Sequence, residues 1–157
     1  MMDINLDWKG KMFFEGVADS GFVQKLDAEE AVGGENKGAR PMEYIAMGLA
    51  GCTGMDVISI LQKKKQVVTE FQVKIHAERA VEHPKVFSKA VIEYLVTGRN
   101  VDEAALLRAI ELSAEKYCPA HAMLGKAFPI QMEYKIFDED GKTLAGQGAY
   151  VPEPVVE

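Results

Sequence analysis

An apolar stretch from residue 40 to residue 62 predicts a helix that is buried on nearly every side. Between Pro41 and Leu61 the only charged residues are Glu43 and Asp56. Pro41 suits the first position of a helix, where its missing N–H is not needed. A helix that is apolar all round belongs inside a protein and not along its surface. We therefore expect this central helix to be the element around which the chain folds.

On either side of the central helix, apolar and polar residues alternate with the period of half-buried strands. The pattern predicts a strand meander over residues 4–27, a glycine-containing loop over 28–39, a hairpin over 71–96 and a last strand over 130–136. The order of strands, helix, hairpin, helix and strand indicates an α+β fold. We expect residues 1–157 to form one domain.

The second helix of this order has recognisable ends. Asn100 has the form of a helix cap, with Glu103 three residues after it. Cys118-Pro119 interrupts the helix, and Pro119 can open a short new helix that runs through about Lys126. Cys118 would then be the cap residue of that short helix.

Composition narrows the functional class. The chain has 157 residues, 48% of them hydrophobic and 27% charged, which fits one folded domain. Its net charge of −6 argues against nucleic acid as a partner. The N-terminus lacks the basic start and apolar run of a signal peptide, and the central helix, with its two acidic residues and three glycines, indicates a core helix and no membrane span. With two cysteines, the expected compartment is the reducing cytoplasm.

The two cysteines, Cys52 and Cys118, are the first candidates for chemistry. They can be two unrelated buried residues, or they can meet if the two helices pack together. Neither has a second cysteine at metal-ligand spacing, so we predict no metal site. At a helix start Cys118 is expected to favour a thiolate. His121, one turn on, would add to this if charged, although the simpler interpretation is a partly exposed helix residue.

The entry to the central helix holds two further candidates, Arg40 and Glu43. They can form an ordinary exposed ion pair, or Arg40 can be directed at the Cys52 thiol, where it would favour the thiolate. Around a straight helix Glu43 lies about 180° from Cys52. It can therefore act on that thiol only from a neighbouring chain or through a distorted first turn.

Small residues recur along the central helix, at Ala46, Gly48, Ala50, Gly51 and Gly54. Each glycine inside a helix costs about 0.5–1 kcal/mol relative to alanine, which suggests that something approaches the backbone closely. Another helix, a sheet or the same helix of a second subunit would fit. Because few elements remain to cover so apolar a helix, we expect a homodimer.

Three segments together resemble the OsmC/Ohr family of osmotically inducible and organic hydroperoxide resistance proteins. They are Pro41-Met-Glu-Tyr-Ile, Leu49-Ala-Gly-Cys52-Thr-Gly-Met-Asp56-Val and Lys116-Tyr-Cys118-Pro119. The resemblance implies an intertwined homodimer with two central helices in its core and sites at the interface. It also implies reduction of organic hydroperoxides, with Cys52 as the attacking and Cys118 as the resolving cysteine. An external dithiol would reopen their disulfide, and no bound cofactor is required.

The sequence departs from the family pattern at the supporting residues. Where well-studied members have a glutamate directly after the proline, this chain has Met42, and its glutamate is Glu43. The loop before the helix holds acidic residues where those members have an arginine, and the first arginine of the chain is Arg40. The leading hypothesis is a thiol peroxidase in which Arg40 and Glu43 support the two cysteines. The alternative is a non-catalytic dimer that binds a small apolar or thiol-containing ligand at its interface.

Overall fold

The computed structural model describes residues 1–152 and shows an α+β chain with two sheets and three helices. The predicted fold class is confirmed. The chain divides into two compact units, residues 1–46 and the residues from Met47 onward. A single domain over residues 1–157 stays a prediction, and residues 153–157 lie outside the described part of the chain.

The first unit contains the predicted strand meander. It consists of β1 (Ile4–Gly10), β2 (Phe13–Ala18) and β3 (Val23–Leu26), which form an antiparallel sheet in that order. These strands bury little within the chain: Ile4 and Trp8 of β1, for example, are 69% and 66% exposed. The unit therefore presents apolar side chains that its own residues do not cover.

One buried carboxylate organises the loop that follows β3. Asp27 accepts hydrogen bonds from the backbone N–H groups of Ala28 (2.7 Å), Glu35 (3.0 Å) and Lys37 (3.0 Å). These bonds, led by that from Lys37, lower the pKa of Asp27. The single side chain thus fixes the course of a loop that contains only one short 3₁₀ turn, Glu30–Val32.

The second unit begins within the central helix, α1 (Pro41–Lys63). The elements after it are β4 (Val67–Arg79), β5 (Phe87–Arg99), α2 (Glu103–Leu112), α3 (Pro119–Leu124), β6 (Ile130–Phe137) and β7 (Leu144–Tyr150). Strands β4 to β7 form one sheet in sequence order. The hairpin of β4 and β5 confirms the prediction, whereas β6 runs parallel to β5 because α2 and α3 connect them.

The core of the second unit lies between its helices and its sheet. Its fully buried side chains come from α1, α2, β5 and β6, and include Val57, Leu61, Ile92, Tyr94, Val96, Leu106, Ile110, Met132 and Ile136. The single chain does not bury α1 on every side, which agrees with the expectation that its own elements are too few to cover this helix. Met47 and Met55 are 50% and 73% exposed, so one face of α1 packs inward and another remains uncovered.

Helix α1 is also, within residues 1–152, the one helix long and apolar enough to cross a bilayer by length and composition. The core helix of a globular protein meets the same criterion when its length is apolar. Because Leu49, Val57 and Leu61 of α1 pack into the core of the same chain, we interpret it as a core helix.

Two details of the second unit differ from the sequence prediction. The cap of α2 is Asp102, whose carboxylate accepts from the Ala104 N–H at 3.0 Å, and not Asn100, which has a left-handed backbone (φ 48°). Strand β7 was not predicted because its sequence lacks β-branched residues and contains two glycines. At Gly148 a Cβ would overlap the Tyr134 hydroxyl. Close packing of β7 against β6 therefore requires glycine at this position, and glycine weakens the pattern by which a strand is recognised.

Replacing Asp27 by asparagine should lower the free energy of unfolding and speed hydrogen exchange at the Glu35 and Lys37 amides, because an amide has one accepting oxygen where the carboxylate has two. In the natural chain the folded-state pKa lies below the ordinary 3.8. The stability that ionised Asp27 contributes to the fold is therefore complete above pH 3.8 and is lost as the pH falls through the lowered pKa. Glu29→Gln, an exposed change in the same loop, is the control. Equal exchange rates in Asp27→Asn and Glu29→Gln would contradict this role.

Candidate functional site

The fold brings the two cysteines together. Cys52 lies in α1 and Cys118 caps α3, and both are free thiols. Their sulfur atoms and a carboxylate oxygen of Asp56 all lie within 4.8 Å of one another. Of the two arrangements that the sequence allowed, the structure shows the one in which the helices pack and the thiols meet.

A break between α2 and α3 sets the position of Cys118. After α2 the chain makes a π-helical turn, Ser113–Tyr117, and the Cys118 N–H donates to the Ser113 carbonyl oxygen at 2.9 Å. Pro119 then starts α3, since its missing N–H is not needed there. The predicted cap position of Cys118 is confirmed, and the turn directs its side chain toward α1.

The expectation that this cap position lowers the pKa of Cys118 is wrong. The sulfur does accept the His121 backbone N–H at 3.3 Å, which favours the thiolate. The side chain, however, is only 2% exposed. Burial, with a further contribution from the neighbouring Cys52 sulfur, raises the pKa of Cys118 to about 12. Cys118 is therefore a protonated thiol at neutral pH.

His121 does not supply the positive charge that would offset this. It was expected to be partly exposed, but it is 8% exposed, and burial lowers its pKa. Its Nδ1 lies 3.1 Å from the Ala114 carbonyl oxygen. Because a carbonyl can only accept, Nδ1 carries the hydrogen of the neutral ring, and Nε2 has no hydrogen-bond partner among the described residues.

Asp56 is held by a chain of three hydroxyl groups that sequence reasoning did not single out. Ser113 Oγ donates to Asp56 Oδ2 at 3.0 Å. Since that uses its only hydrogen, Ser113 must accept from Thr53 Oγ1 (2.9 Å), and Thr53 must accept from Tyr94 Oη (2.5 Å). Burial raises the pKa of Tyr94, so its hydroxyl remains protonated.

All three hydroxyls thus point their hydrogens toward the carboxylate. Thr53 and Ser113 carry a sequence signal in hindsight, because each is a polar residue at a position whose helical neighbours are apolar. Tyr94 carries a weaker one, since a tyrosine within an apolar strand is common in any core.

Arg40 and Glu43 make their hydrogen bonds within the first unit. The Glu43 carboxylate accepts the backbone N–H of Arg40 at 2.8 Å, as in one half of a capping box. The Arg40 guanidinium donates to the Gly38 carbonyl oxygen at 3.0 Å and to Asn36 Oδ1. The Glu43 carboxylate therefore holds the helix start through the Arg40 backbone, and not through the ion pair that was one of the two arrangements considered. The catalytic roles of both residues stay predictions.

A cavity of about 760 Å³ lies beside α3 in the second unit. Its lining is mainly apolar and comes from Ala114, Glu115, His121, Ala122, residues 125–131, Val151 and Pro152. Neither cysteine is among these residues, although His121 is close to Cys118 along the chain. The cavity and the thiol pair are thus adjacent features and not one shared cleft.

The raised pKa of Cys118 predicts unequal reactivity of the two thiols. In the reduced protein near neutral pH, an alkylating reagent should label the partly exposed Cys52, and Cys118 should react only after unfolding or as the pH approaches 12. Because this folded-state pKa is above the ordinary 9.0, the stability it contributes is complete below pH 9 and is lost as the pH rises toward 12. Peptide mass spectrometry over a pH series measures both labels. Equal labelling at neutral pH would contradict the burial of Cys118.

Comparison with known proteins supports the same architecture. A family model described as OsmC-like protein matches residues 34–133. The protein YhfA of Escherichia coli K12 is 38% identical over 135 residues, which cover 86% of this chain and 98% of YhfA.

Two solved structures extend the comparison. A hypothetical protein from Aquifex aeolicus VF5 has a TM-score of 0.78 at 29% identity, with coverage of 88% of this chain and 98% of that one. An organic hydroperoxide resistance protein OsmC from Legionella pneumophila has a TM-score of 0.64 at 15% identity, covers 87% and 96% of the two chains, and shares the fold. With its two helix-borne thiols brought together on this architecture, the chain belongs to the OsmC family.

Proposed function

We propose that this protein reduces organic hydroperoxides through a redox pair formed by Cys52 and Cys118. The observation that carries the proposal is the closeness of the two sulfur atoms, within 4.8 Å of each other, on two different helices. A sulfur atom oxidised in such a pair has a second thiol in reach. The proposal fits the family, to which the organic hydroperoxide resistance protein of Legionella pneumophila also belongs.

The difference in exposure assigns the two roles. Cys52 is partly exposed and Cys118 is buried, so a peroxide can reach the Cys52 sulfur first. The Cys52 thiolate attacks the terminal oxygen of ROOH, the O–O bond breaks, and the products are Cys52 sulfenic acid and the alcohol ROH, which takes up a proton.

Cys118 then resolves the intermediate. Its sulfur attacks the Cys52 sulfur, the S–O bond breaks, and the departing hydroxide takes the Cys118 proton and leaves as water. An external dithiol returns the disulfide to two thiols. The raised pKa of Cys118 suits this order, because a thiol that stays protonated does not compete with Cys52 for the peroxide.

Arg40 and Glu43 remain the proposed supporting pair. A thiolate needs positive charge nearby, and the charged group that the second unit places within 4.8 Å of both sulfurs is the Asp56 carboxylate, which disfavours a thiolate. We propose that Arg40 supplies the positive charge and that Glu43, which accepts the Arg40 backbone N–H, holds the helix start from which this side chain extends. The free thiols fit the reducing cytoplasm as the compartment.

The uncovered face of α1 supports a homodimer. Met47, Gly51 and Met55 are spaced four apart and form a stripe along one side of the helix. A Cβ at Gly54 would meet a Val73 methyl at 3.2 Å, whereas at Gly48 and Gly51 it would meet nothing within 4 Å. Packing against the chain's own sheet therefore explains why position 54 is a glycine. The other two glycines are explained by close approach of the same helix from a second subunit.

The second candidate function is a non-catalytic dimer that binds a small apolar or thiol-containing ligand. The observation in its favour is the mainly apolar cavity of about 760 Å³ beside α3, which the cysteines do not line. A cavity of this size can take a small organic molecule. Redox turnover separates the two functions.

Cys52→Ser should reduce turnover of cumene hydroperoxide with a dithiol reductant to the uncatalysed rate, because a serine hydroxyl does not attack the O–O bond at neutral pH. With no dithiol present, Cys118→Ser, the matched change in the second thiol, should still consume about one peroxide per chain and then retain a sulfenic acid at Cys52, because no second thiol is left to condense with it. Coupled consumption of dithiol and trapping with a sulfenic-acid reagent measure the two outcomes. An unchanged rate in Cys52→Ser would end the proposal and favour the binding function.

Gly51→Leu should weaken the homodimer by about tenfold or more, because overpacking a close helix contact costs about 1–3 kcal/mol. Sedimentation velocity over a dilution series measures the effect. Gln62→Leu, at the exposed C-terminal end of the same helix, adds the same side chain and should leave the dimer intact. If Gly51→Leu associates as strongly as Gln62→Leu, the dimer does not use this face of α1.

A further inference from the structure

Three metal-binding groups converge at the thiol pair. Cys52 and Asp56 are four residues apart on α1, so their side chains lie one above the other on the same face. Cys118 reaches this face from the cap of α3. One ligand atom of each residue lies within 4.8 Å of the other two. Two thiolates on a tetrahedral Zn²⁺ are about 3.8 Å apart, given Zn–S bonds of about 2.3 Å. The three groups therefore need only small side-chain adjustments to hold one ion.

Two of the three groups already accept hydrogen bonds of the kind that fix ligands in metal sites. Ligands in such sites are fixed by hydrogen bonds from outer residues. Ser113 donates to one oxygen of Asp56 at 3.0 Å, which leaves the other oxygen for an ion. The Cys118 sulfur accepts the His121 backbone N–H at 3.3 Å, a bond that stabilises negative charge on sulfur. Asp56 and Cys118 thus each have an outer hydrogen-bond donor. The donor to Asp56, Ser113, is itself held by the hydroxyls of Thr53 and Tyr94.

We propose that Cys52, Cys118 and Asp56 form a site for a thiophilic divalent cation, with Zn²⁺ as the fitting ion. Two sulfur ligands select a soft or borderline metal over Mg²⁺ or Ca²⁺. Cys52 and Asp56 are partly exposed, so a fourth ligand can come from solvent. The ion replaces the two thiol protons, and its two positive charges reduce the charge of two thiolates and one carboxylate from −3 to −1.

Metal binding and redox chemistry exclude each other at this site. A disulfide removes two of the three ligands, and a bound Zn²⁺ occupies the lone pairs with which sulfur attacks a peroxide. The cation therefore protects the reduced pair and holds it inactive until it leaves. Binding of the ion depends on the same thiols but not on peroxide turnover; only the inhibition rests on the proposed function.

Titration of the reduced, chelator-treated full chain with Co²⁺ and with Cd²⁺ tests the site. We expect one equivalent per chain to produce sulfur-to-metal charge-transfer absorption, and Zn²⁺ to abolish the Co²⁺ spectrum by displacing it. The protein oxidised to its disulfide should show neither. Absence of charge-transfer absorption in the reduced protein, or equal absorption in the oxidised protein, would overturn the proposal.

Variants assign the ligands. Cys52→Ser and Asp56→Asn change partly exposed residues, and each should weaken Zn²⁺ binding by more than tenfold in competition with a chelating dye. Ser113→Ala removes an outer partner and should weaken binding by about 10–100-fold. Glu111→Gln, which changes a carboxylate of α2 that pairs with Arg108, is the control and should bind as the natural chain does. Unchanged affinity in Asp56→Asn would overturn the three-ligand site.

The experiment separates this proposal from the peroxidase. Peroxide turnover is measured with a chelator present, and metal binding is measured without peroxide. A protein that turns over peroxide but gives no charge-transfer absorption refutes the metal site alone. A protein that binds metal through these residues but has no turnover refutes the peroxidase alone.

Discussion

The packing of the turn before α3 against α1 is the contact on which the rest of the site depends. It sets the buried sulfur of Cys118 beside Cys52, two residues that are 66 positions apart in the sequence. The same contact carries Ser113 to Asp56, so that one junction fixes both the thiols and the carboxylate. The π-helical turn makes this possible, because it ends α2 early enough for Cys118 to turn inward as a cap. Turns of this kind are frequent at functional sites.

Much of the fold could be read from the sequence because periodicity reports local burial. The alternation in β4 and β6 and the apolar run of α1 each describe how one segment faces the core. Strand β7 was not predicted because the glycine at position 148 is required by a residue distant in the sequence, Tyr134, whose hydroxyl lies where a Cβ would be. The incomplete cover of α1 agrees with the expectation that the chain has too few elements to bury so apolar a helix. The pattern does not indicate which face stays exposed, because an apolar residue looks the same in the sequence whether its own chain or a second copy covers it.

For the site, the sequence identified the two cysteines but misjudged their electrostatics. A cap position predicts a lowered thiol pKa only if the sulfur remains hydrated, and the burial of Cys118 reverses the direction. The hydroxyl chain from Tyr94 through Thr53 and Ser113 to Asp56 joins three different elements. The polar residues Thr53 and Ser113 stand out locally among apolar neighbours, but no local pattern shows that they connect to each other and to Tyr94, because the three residues are far apart in the sequence.

The charge of the site explains why it needs a cation. The Asp56 carboxylate accepts a hydrogen bond from Ser113 Oγ and has an oxygen within 4.8 Å of both sulfur atoms. An ionised thiol there meets a like charge in a poorly hydrated place, which is unfavourable unless positive charge is added. Arg40 is the proposed source of that charge for catalysis, and a thiophilic metal ion is the source proposed for the resting, reduced pair. The two differ in their effect, since an arginine leaves the sulfur free to attack whereas a metal ion occupies it. The identity of the cation thus decides whether the pair is reactive or protected.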